Sequence, residues 1–429
     1  MMQSSTLAIN GGTPVRTKPF PRWPVFDEQE EAALLKVLHS GNWWQFAYGY
    51  GVELTEDPAK QVSETTHFEH EFAQAHDCRH GIAAANGTAT LEIALRALDI
   101  GPGDEVIVPA YTFIASATSV LQIGAVPIFV DVDPHTCLLD CARIEEAITP
   151  RTRAIMPVHF GGQSVDMDAL ASLARAHGLS IVEDAAHAHG STWRGKKCGA
   201  LGDAGSFSFQ ASKNMTAGEG GIITTNNPEL AALCRSYLWA GREQGRPWYE
   251  HHRLGWNYRI TEFQSALLRV QLQRLPAQTA TRDANGRYLI SQLQANVTGF
   301  TPPHLDERAT CISFHLLLCR YQPEAFGGLT REAFIAALTA EGIPCATGYN
   351  QPLYRNPMFL RQDFFKGGFP CVPPFAREIG YADFIAHCPC SEAICQDAVW
   401  FNQNLLLGNR EDMDDIVEAV RKIQRSVSA

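Results

Sequence analysis

Between residue 80 and about residue 226, short apolar runs alternate with stretches in which apolar residues recur every three or four positions. Ile82–Ala85 predicts a strand, and Thr90–Leu98 predicts a helix with Leu91, Ala94, Leu95 and Leu98 along one face. Glu105–Tyr111, Val126–Val132, Ala154–Phe160 and Ser180–Ala185 are further strand candidates, separated by helix-length segments such as Ile114–Leu121 and Met167–His177. Alternation of this kind demands crossover connections. The expected fold class is therefore α/β, a mainly parallel sheet between helices, with ligands at the carboxyl ends of the strands.

The texture changes after Leu275. A helical stretch leads to a strand at Phe314–Tyr321, a helix at Thr330–Glu341 stopped by Gly342, and a closing helix at Asp412–Ile423. The expected division is a large α/β domain over residues 1–274, including the N-terminal segment, and a smaller α+β domain over residues 275–429. A long helix around Thr261–Arg274 joins them. Residues 45–66 are polar, glycine-containing and aperiodic, as in a mobile loop at a pocket mouth.

Composition narrows the function classes. With 45% hydrophobic and 19% charged residues, the 429-residue chain is of the folding kind. A net charge of -11 leaves no basic surface advertising nucleic acid or anionic lipid. No charged start followed by an apolar run, and no stretch of 18 apolar residues, predicts secretion or a membrane span. Twelve scattered cysteines suit reduced thiols and a cytoplasmic location. No metal site is expected: His387, Cys388, Cys390 and Cys395 lack a second pair at zinc spacing, and His70 and His76 are six apart where helical ligands need four. An ordinary surface helix accounts for the latter pair.

Three short segments carry chemistry. Asn86-Gly87-Thr88-Ala89-Thr90 joins a strand to a helix, where free backbone N–H groups and the helix dipole favour an anion; a simple N-cap by Thr88 or Thr90 explains the same residues. Ile181–His187 is an apolar strand that ends in a carboxylate, Asp184, which is costly there unless paired; a helix cap or a structural ion pair is the alternative. Ser206–Lys213, followed by Gly218-Glu219-Gly220-Gly221, holds a lysine between a β-like apolar run and a glycine-rich turn. Partial desolvation there would free the amine as a nucleophile, although a lone lysine is usually solvated surface. Together the three supply what pyridoxal phosphate requires: a phosphate anchor, a partner for the pyridinium nitrogen and a Schiff-base amine.

With these residues in place, the sequence resembles the DegT/DnrJ/StrS-type aminotransferases, fold-type-I pyridoxal phosphate enzymes acting on keto sugars and cyclitol ketones. The resemblance runs from about Leu7 to Arg425 through Gly101–Pro109, Val126–Asp131, Glu183–Ala186, Ser206–Gly221 and Asn257-Tyr258-Arg259. It implies that Lys213 binds the cofactor covalently and then shuttles the proton, that Asp184 keeps the pyridine nitrogen protonated, and that Phe113 stacks on the ring. It further implies that Gly87, Thr88 and Ser208 hold the phosphate, and that Asn257 reaches the phosphate of a partner subunit in a homodimer. Two departures stand out. His187 replaces a glutamine that contacts the phenolic oxygen in many relatives, as in members similar to aminohydroxybenzoate synthase and inosose aminotransferases. Gly348-Tyr349-Asn350 replaces the His-Tyr-Pro of many sugar-nucleotide members, and Trp43-Trp44 is similar to the aminohydroxybenzoate group.

The activity implied is ping-pong transfer of an amino group from glutamate or glutamine to a keto sugar or cyclitol ketone. Two alternatives follow from the same resemblance: a pyridoxal phosphate sugar dehydratase or lyase, whose dehydratase relatives carry histidine in place of Lys213, and a non-catalytic sensor or assembly protein that retains the cofactor.

Overall fold

The computed structural model describes residues 6–48 and 62–427. Seven strands form the central sheet: β1 (His80–Ala84), β2 (Glu105–Pro109), β3 (Val126–Val130), β4 (Thr152–Ile155), β5 (Ser180–Asp184), β6 (Ala204–Ser208) and β7 (Gly221–Thr225). Their spatial order is β1-β7-β6-β5-β4-β2-β3. The pairs β2/β3, β2/β4, β4/β5 and β5/β6 are parallel. β7 is antiparallel to both β6 and β1, because the Phe209–Gly220 loop returns directly to the sheet without a crossover helix. Every strand except β7 therefore runs the same way, and their carboxyl ends share one edge. β2, β3, β6 and β7 are buried throughout, as expected of strands covered on both faces.

The expected helices form close to their predicted bounds: Gly87–Ala97, Ala115–Gln122 and Met167–His177. The strands are shorter than the apolar runs suggest. Beyond Ile155 the chain leaves the ladder and turns at Phe160–Gly162.

The long helix runs Glu262–Asn296, through the residue 274/275 position and well past Arg274. Thr261 and Gln264 form a reciprocal capping box at its start, satisfying two otherwise orphaned donors. A second, antiparallel sheet follows, with β8 (Phe300–Thr301), β9 (Leu316–Tyr321), β10 (Ala346–Thr347) and β11 (Ala398–Asn402) in the order β8-β9-β11-β10. Helix Arg331–Ala340 packs beside β10, and helix Arg410–Val427 packs on that helix and on the long helix Glu262–Asn296. The N-terminal segment reaches this region: Arg16 donates to Asp412 and Asp415 and is itself buried.

Two local expectations need correction. The His70 region is not an ordinary surface helix: helix Glu64–Ala75 buries Phe68, Glu69 and Phe72, and His76 at its end is also buried. Its periodicity serves an interior face, where Phe68 and Phe72 meet Phe209. Of the predicted 45–66 loop, Gln45–Tyr48 forms a short helical turn and Glu64 already begins a helix, capped by Ser63; residues 49–61 lie outside the described residues.

All twelve cysteines are free. Among the described residues no helix is long and apolar enough to cross a membrane, and no three His, Cys, Asp or Glu side chains are grouped to hold a metal ion. Cys388 and Cys390 flank the start of helix Pro389–Asp397, where the Asp131 carboxylate accepts from the Cys390 and Ser391 amides.

Candidate active site

At the shared edge the ladder pairs Ala84 with Gly221 and Ser208 with Gly221, so the ends of β1 and β6 lie on either side of the start of β7. Gly87, the first residue of helix Gly87–Ala97, consequently sits against Ser208. A Cβ at Gly87 would lie 2.7 Å from the Ser208 Cβ, so a side chain there would fill the space between the helix N-terminus and the strand end. The N-cap is Asn86, whose side chain accepts from the Ala89 amide at 2.8 Å. Neither Thr88 nor Thr90 plays that part. Thr90 Oγ1 bonds the Gly87 carbonyl at 2.7 Å and Ser206 Oγ at 2.6 Å, whereas Thr88 is half-buried beside Gly87.

The adjacent carboxylates at the end of β5 have opposite surroundings. Glu183 is fully buried; it accepts from the Gly199, Leu201 and Gly202 amides at 2.6–2.7 Å and lies 2.9 Å from His159 Nε2. His159 Nδ1 accepts from the Val165 amide at 3.2 Å, so its Nε2–H donates to Glu183, whose oxygens are all occupied: this is the structural carboxylate. Asp184 is also buried but has fewer partners: Ser116 Oγ at 2.8 Å and the Ala186 amide at 3.2 Å. Burial raises its carboxyl pKa above the ordinary value, against the pull of those donors and of Lys213 and His159. A cation placed beside it would be held strongly.

Lys213 lies in the Phe209–Gly220 loop. Phe209 N donates to the Gly220 carbonyl, Lys213 N to the Gln210 carbonyl, and Thr216 Oγ1 to the Phe209 carbonyl; Trp23 Nε1 secures Ala211 from outside. Burial pushes the Lys213 ammonium down to about 8, opposed by the Asp184 carboxylate. About a tenth of the amine is thus neutral at pH 7, far more than for an ordinary lysine, as a nucleophilic lysine needs.

Phe113 precedes helix Ala115–Gln122 and is 54% exposed, so it is not a core residue but an open ring face. His187 is buried within ring contact of Phe160 and His315. Its Nδ1 accepts from the Gly161 amide at 3.3 Å, leaving Nε2 as the N–H donor. Burial, with Lys213, His315 and His189 nearby, holds its pKa well below the usual value, so the imidazole is neutral. Gly161 and Gly162 have φ of +67° and +98°, and a Cβ at Gly162 would meet Ser313 Oγ at 2.4 Å, which is why this turn is a glycine pair.

Tyr349 enters from the second sheet and packs against Trp400, Tyr111 and Phe160, forming an aromatic wall that continues to His187. Burial and the Asp184 carboxylate raise its phenol pKa. Asn257 is exposed, in a segment that runs beside the end of β1: Ala85 N donates to the Tyr258 carbonyl.

Lys213, Asp184, His187 and Tyr349 thus converge on one edge, with the Gly87–Ser208 cleft beside them. Ser116, Asn214 and His315 also belong here and were not singled out in the sequence. Ser116 sits one helical turn after Phe113, and only the fold brings it to Asp184. The donor set suits pyridoxal phosphate: a helix N-terminus with room beside Gly87 for an anion, a buried carboxylate short of donors, and a lysine of lowered pKa.

A model of the DegT/DnrJ/EryC1/StrS aminotransferase family matches residues 54–421. A Streptoalloteichus tenebrarius protein assigned as an L-glutamine:3-amino-2,3-dideoxy-scyllo-inosose aminotransferase is 40% identical over 431 residues, covering 99% of each chain. The 3-amino-5-hydroxybenzoate synthase of Amycolatopsis mediterranei is 37% identical, over 94% of this chain and 96% of its own. A crystal structure of 3-amino-5-hydroxybenzoic acid synthase superposes with a TM-score of 0.83 at 35% identity, covering 96% of this chain and all of that one. The matches span nearly the whole length of every partner, both sheets included, and the chain belongs to the DegT/DnrJ/EryC1/StrS aminotransferase family, whose cofactor is pyridoxal phosphate.

Proposed function

We propose that this aminotransferase moves the α-amino group of L-glutamine to a free six-membered cyclitol ketone of the inosose type. The observation that carries the proposal is near full-length similarity to L-glutamine:inosose aminotransferases, including an L-glutamine:2-deoxy-scyllo-inosose aminotransferase at 37% identity. The aromatic contacts of Tyr349 and Phe160 beside His187 support it, since they give this side of the site an apolar boundary. Bound pyridoxal phosphate supplies an electron sink for cleavage of the C–H bond next to nitrogen. The chain's residues do the rest: Gly87, Thr88 and Ser208 hold the phosphate, Phe113 covers one ring face, and Asp184 keeps the pyridine nitrogen protonated. His187 would donate from Nε2 to the phenolic oxygen, and Lys213 would attach the cofactor and then carry the proton. Dehydratase, lyase and non-catalytic readings are not favoured, since Lys213 and Asp184 are both present and the relatives are aminotransferases.

We further propose a cytoplasmic homodimer in which Asn257 completes the partner's phosphate site. A run of aromatic contacts that surfaces at both ends supports this: Trp44 contacts Phe46, Phe46 stacks on the buried Trp239, and Arg242 bridges Trp239 to Trp248, with Tyr249 beyond. Trp248, Tyr249 and Leu254 are 68%, 76% and 92% exposed, which a second copy would cover. The division into a large cofactor-binding unit, residues 1–274, and a smaller one, 275–429, is likewise proposed. The seven-stranded sheet falls wholly in the first and the four-stranded sheet in the second, with the long helix spanning both.

The test is transfer of label from L-glutamine carrying 15N at the α-amino group to a panel of inososes, free keto sugars and nucleotide-linked keto sugars. Labelled aminocyclitol is the expected product. A clear preference for the nucleotide-linked acceptors contradicts the proposal.

A further inference from the structure

His315 is a buried imidazole at the mouth of β9, outside every motif that marks the cofactor site. Its ring centroid lies 4.2 Å from that of His187, at an interplanar angle of 38°. Its Nδ1 is 3.1 Å from Oδ1 of Asn214, the residue directly after Lys213. Asn214 Nδ2 donates to the Ser313 carbonyl at 2.7 Å, which fixes its Oδ1 as the acceptor and so places the His315 proton on Nδ1. Ser313 Oγ in turn donates to the His187 carbonyl at 2.7 Å. The two imidazoles are thus set in opposite tautomers, Nδ1–H at His315 and Nε2–H at His187.

The backbone between these contacts is strained. Phe314, buried and aromatic, has a φ of +45°, a left-handed conformation that such a residue adopts only when its surroundings impose it. That turn lets Ser313 bond to His187 while His315 bonds to Asn214. A residue serving only to fill the core would need no such turn.

We propose that His315 is a positioning residue: packed at a tilt against His187 and anchored through Asn214 to the lysine loop, it holds the His187 ring with Nε2–H directed at the phenolic oxygen of the cofactor. This rests on the cofactor assignment proposed for Lys213 and His187. Other charged or titratable groups face the pair: Lys213 and His189 act on both, and Arg282 acts on His315; Asp184 acts in turn on Lys213 and on Tyr349. Burial keeps both imidazoles neutral through the neutral pH range.

The experiment has two arms, on full-length protein. In the cofactor-free protein, 15N imidazole spectra are expected to show His315 as Nδ1–H and His187 as Nε2–H, with His187 losing its single tautomer in His315→Phe. In the loaded protein, the pH midpoint of the cofactor absorbance is expected to rise by about one unit in His315→Phe, a tenfold change in proton affinity. His315→Asn, which can still donate to Asn214, is expected to return it most of the way. An Nε2–H tautomer at His315 in the wild type overturns the proposal whether or not a variant folds. So does a His315→Phe protein with His187 and the midpoint both unchanged. If the wild-type protein forms no adduct at Lys213, the cofactor assignment fails separately, and the tautomers still judge His315.

Discussion

Ser116 Oγ donates a 2.8 Å hydrogen bond to Asp184 Oδ2, joining the turn that presents Phe113 to the strand that presents the carboxylate. The residue proposed to cover the ring and the carboxylate proposed to pair with the pyridinium are therefore linked through one hydrogen bond. Ser116→Ala removes a donor to a charged acceptor, worth about 1.5–3 kcal/mol, and pushes the Asp184 carboxyl further up. The expected result is at least a tenfold slower half-reaction with L-glutamine, measured by stopped-flow absorbance, with the fold intact. An unchanged rate would detach Ser116 from the chemistry.

The neighbouring carboxylates should separate cleanly. Glu183→Ala strands the His159 Nε2–H and three backbone amides in the interior, each worth about 1–3 kcal/mol when left unsatisfied, and is expected to lower stability strongly in denaturant unfolding. Asp184→Asn keeps the shape, with its amide oxygen on the Ala186 N–H and the Ser116 hydroxyl turned to accept from Nδ2, so stability should change little while the half-reaction slows sharply. Equal effects on stability from the two variants would mean that Asp184 is structural as well.

Much of this was legible in the chain because the sheet's own strands announce it. Runs such as Val106–Val108 are apolar on both faces, and a strand–turn–helix at Gly87 and a carboxylate closing β5 identify the ligand edge from the sequence. β7 was not legible: Gly221–Thr225 has no helix before it to signal a crossover, and only pairing with β1 and β6 makes it a central strand. His315 was hidden for a related reason. Its role depends on Phe314 turning left-handed and on contacts over about a hundred residues to Asn214, neither of which has a local pattern.

Lys213 gives a pH signature. The neutral amine is the reactive form and predominates above its pKa, so the rate at which the cofactor-free protein forms its adduct with pyridoxal phosphate should climb through pH 8 and level above it. The Asp184 carboxylate favours the protonated lysine, so Asp184→Asn should move the midpoint down. Movement upward would contradict the geometry described for the pair.

Asn257 offers a test of the shared site. Asn257→Ala alone should weaken cofactor retention. Mixed with Lys213→Ala protomers it should recover activity, because one site in each heterodimer then combines two intact halves. No recovery in verified heterodimers would mean that Asn257 serves the cleft beside its own β1.

The central claim is that Lys213 is the point of cofactor attachment. Loaded protein reduced with borohydride, digested and examined by mass spectrometry is predicted to carry the pyridoxyl group on the peptide containing Lys213, with Lys213→Ala unlabelled and at least 10²-fold slower in turnover. A pyridoxyl group on any other lysine, or full turnover in Lys213→Ala, would contradict it.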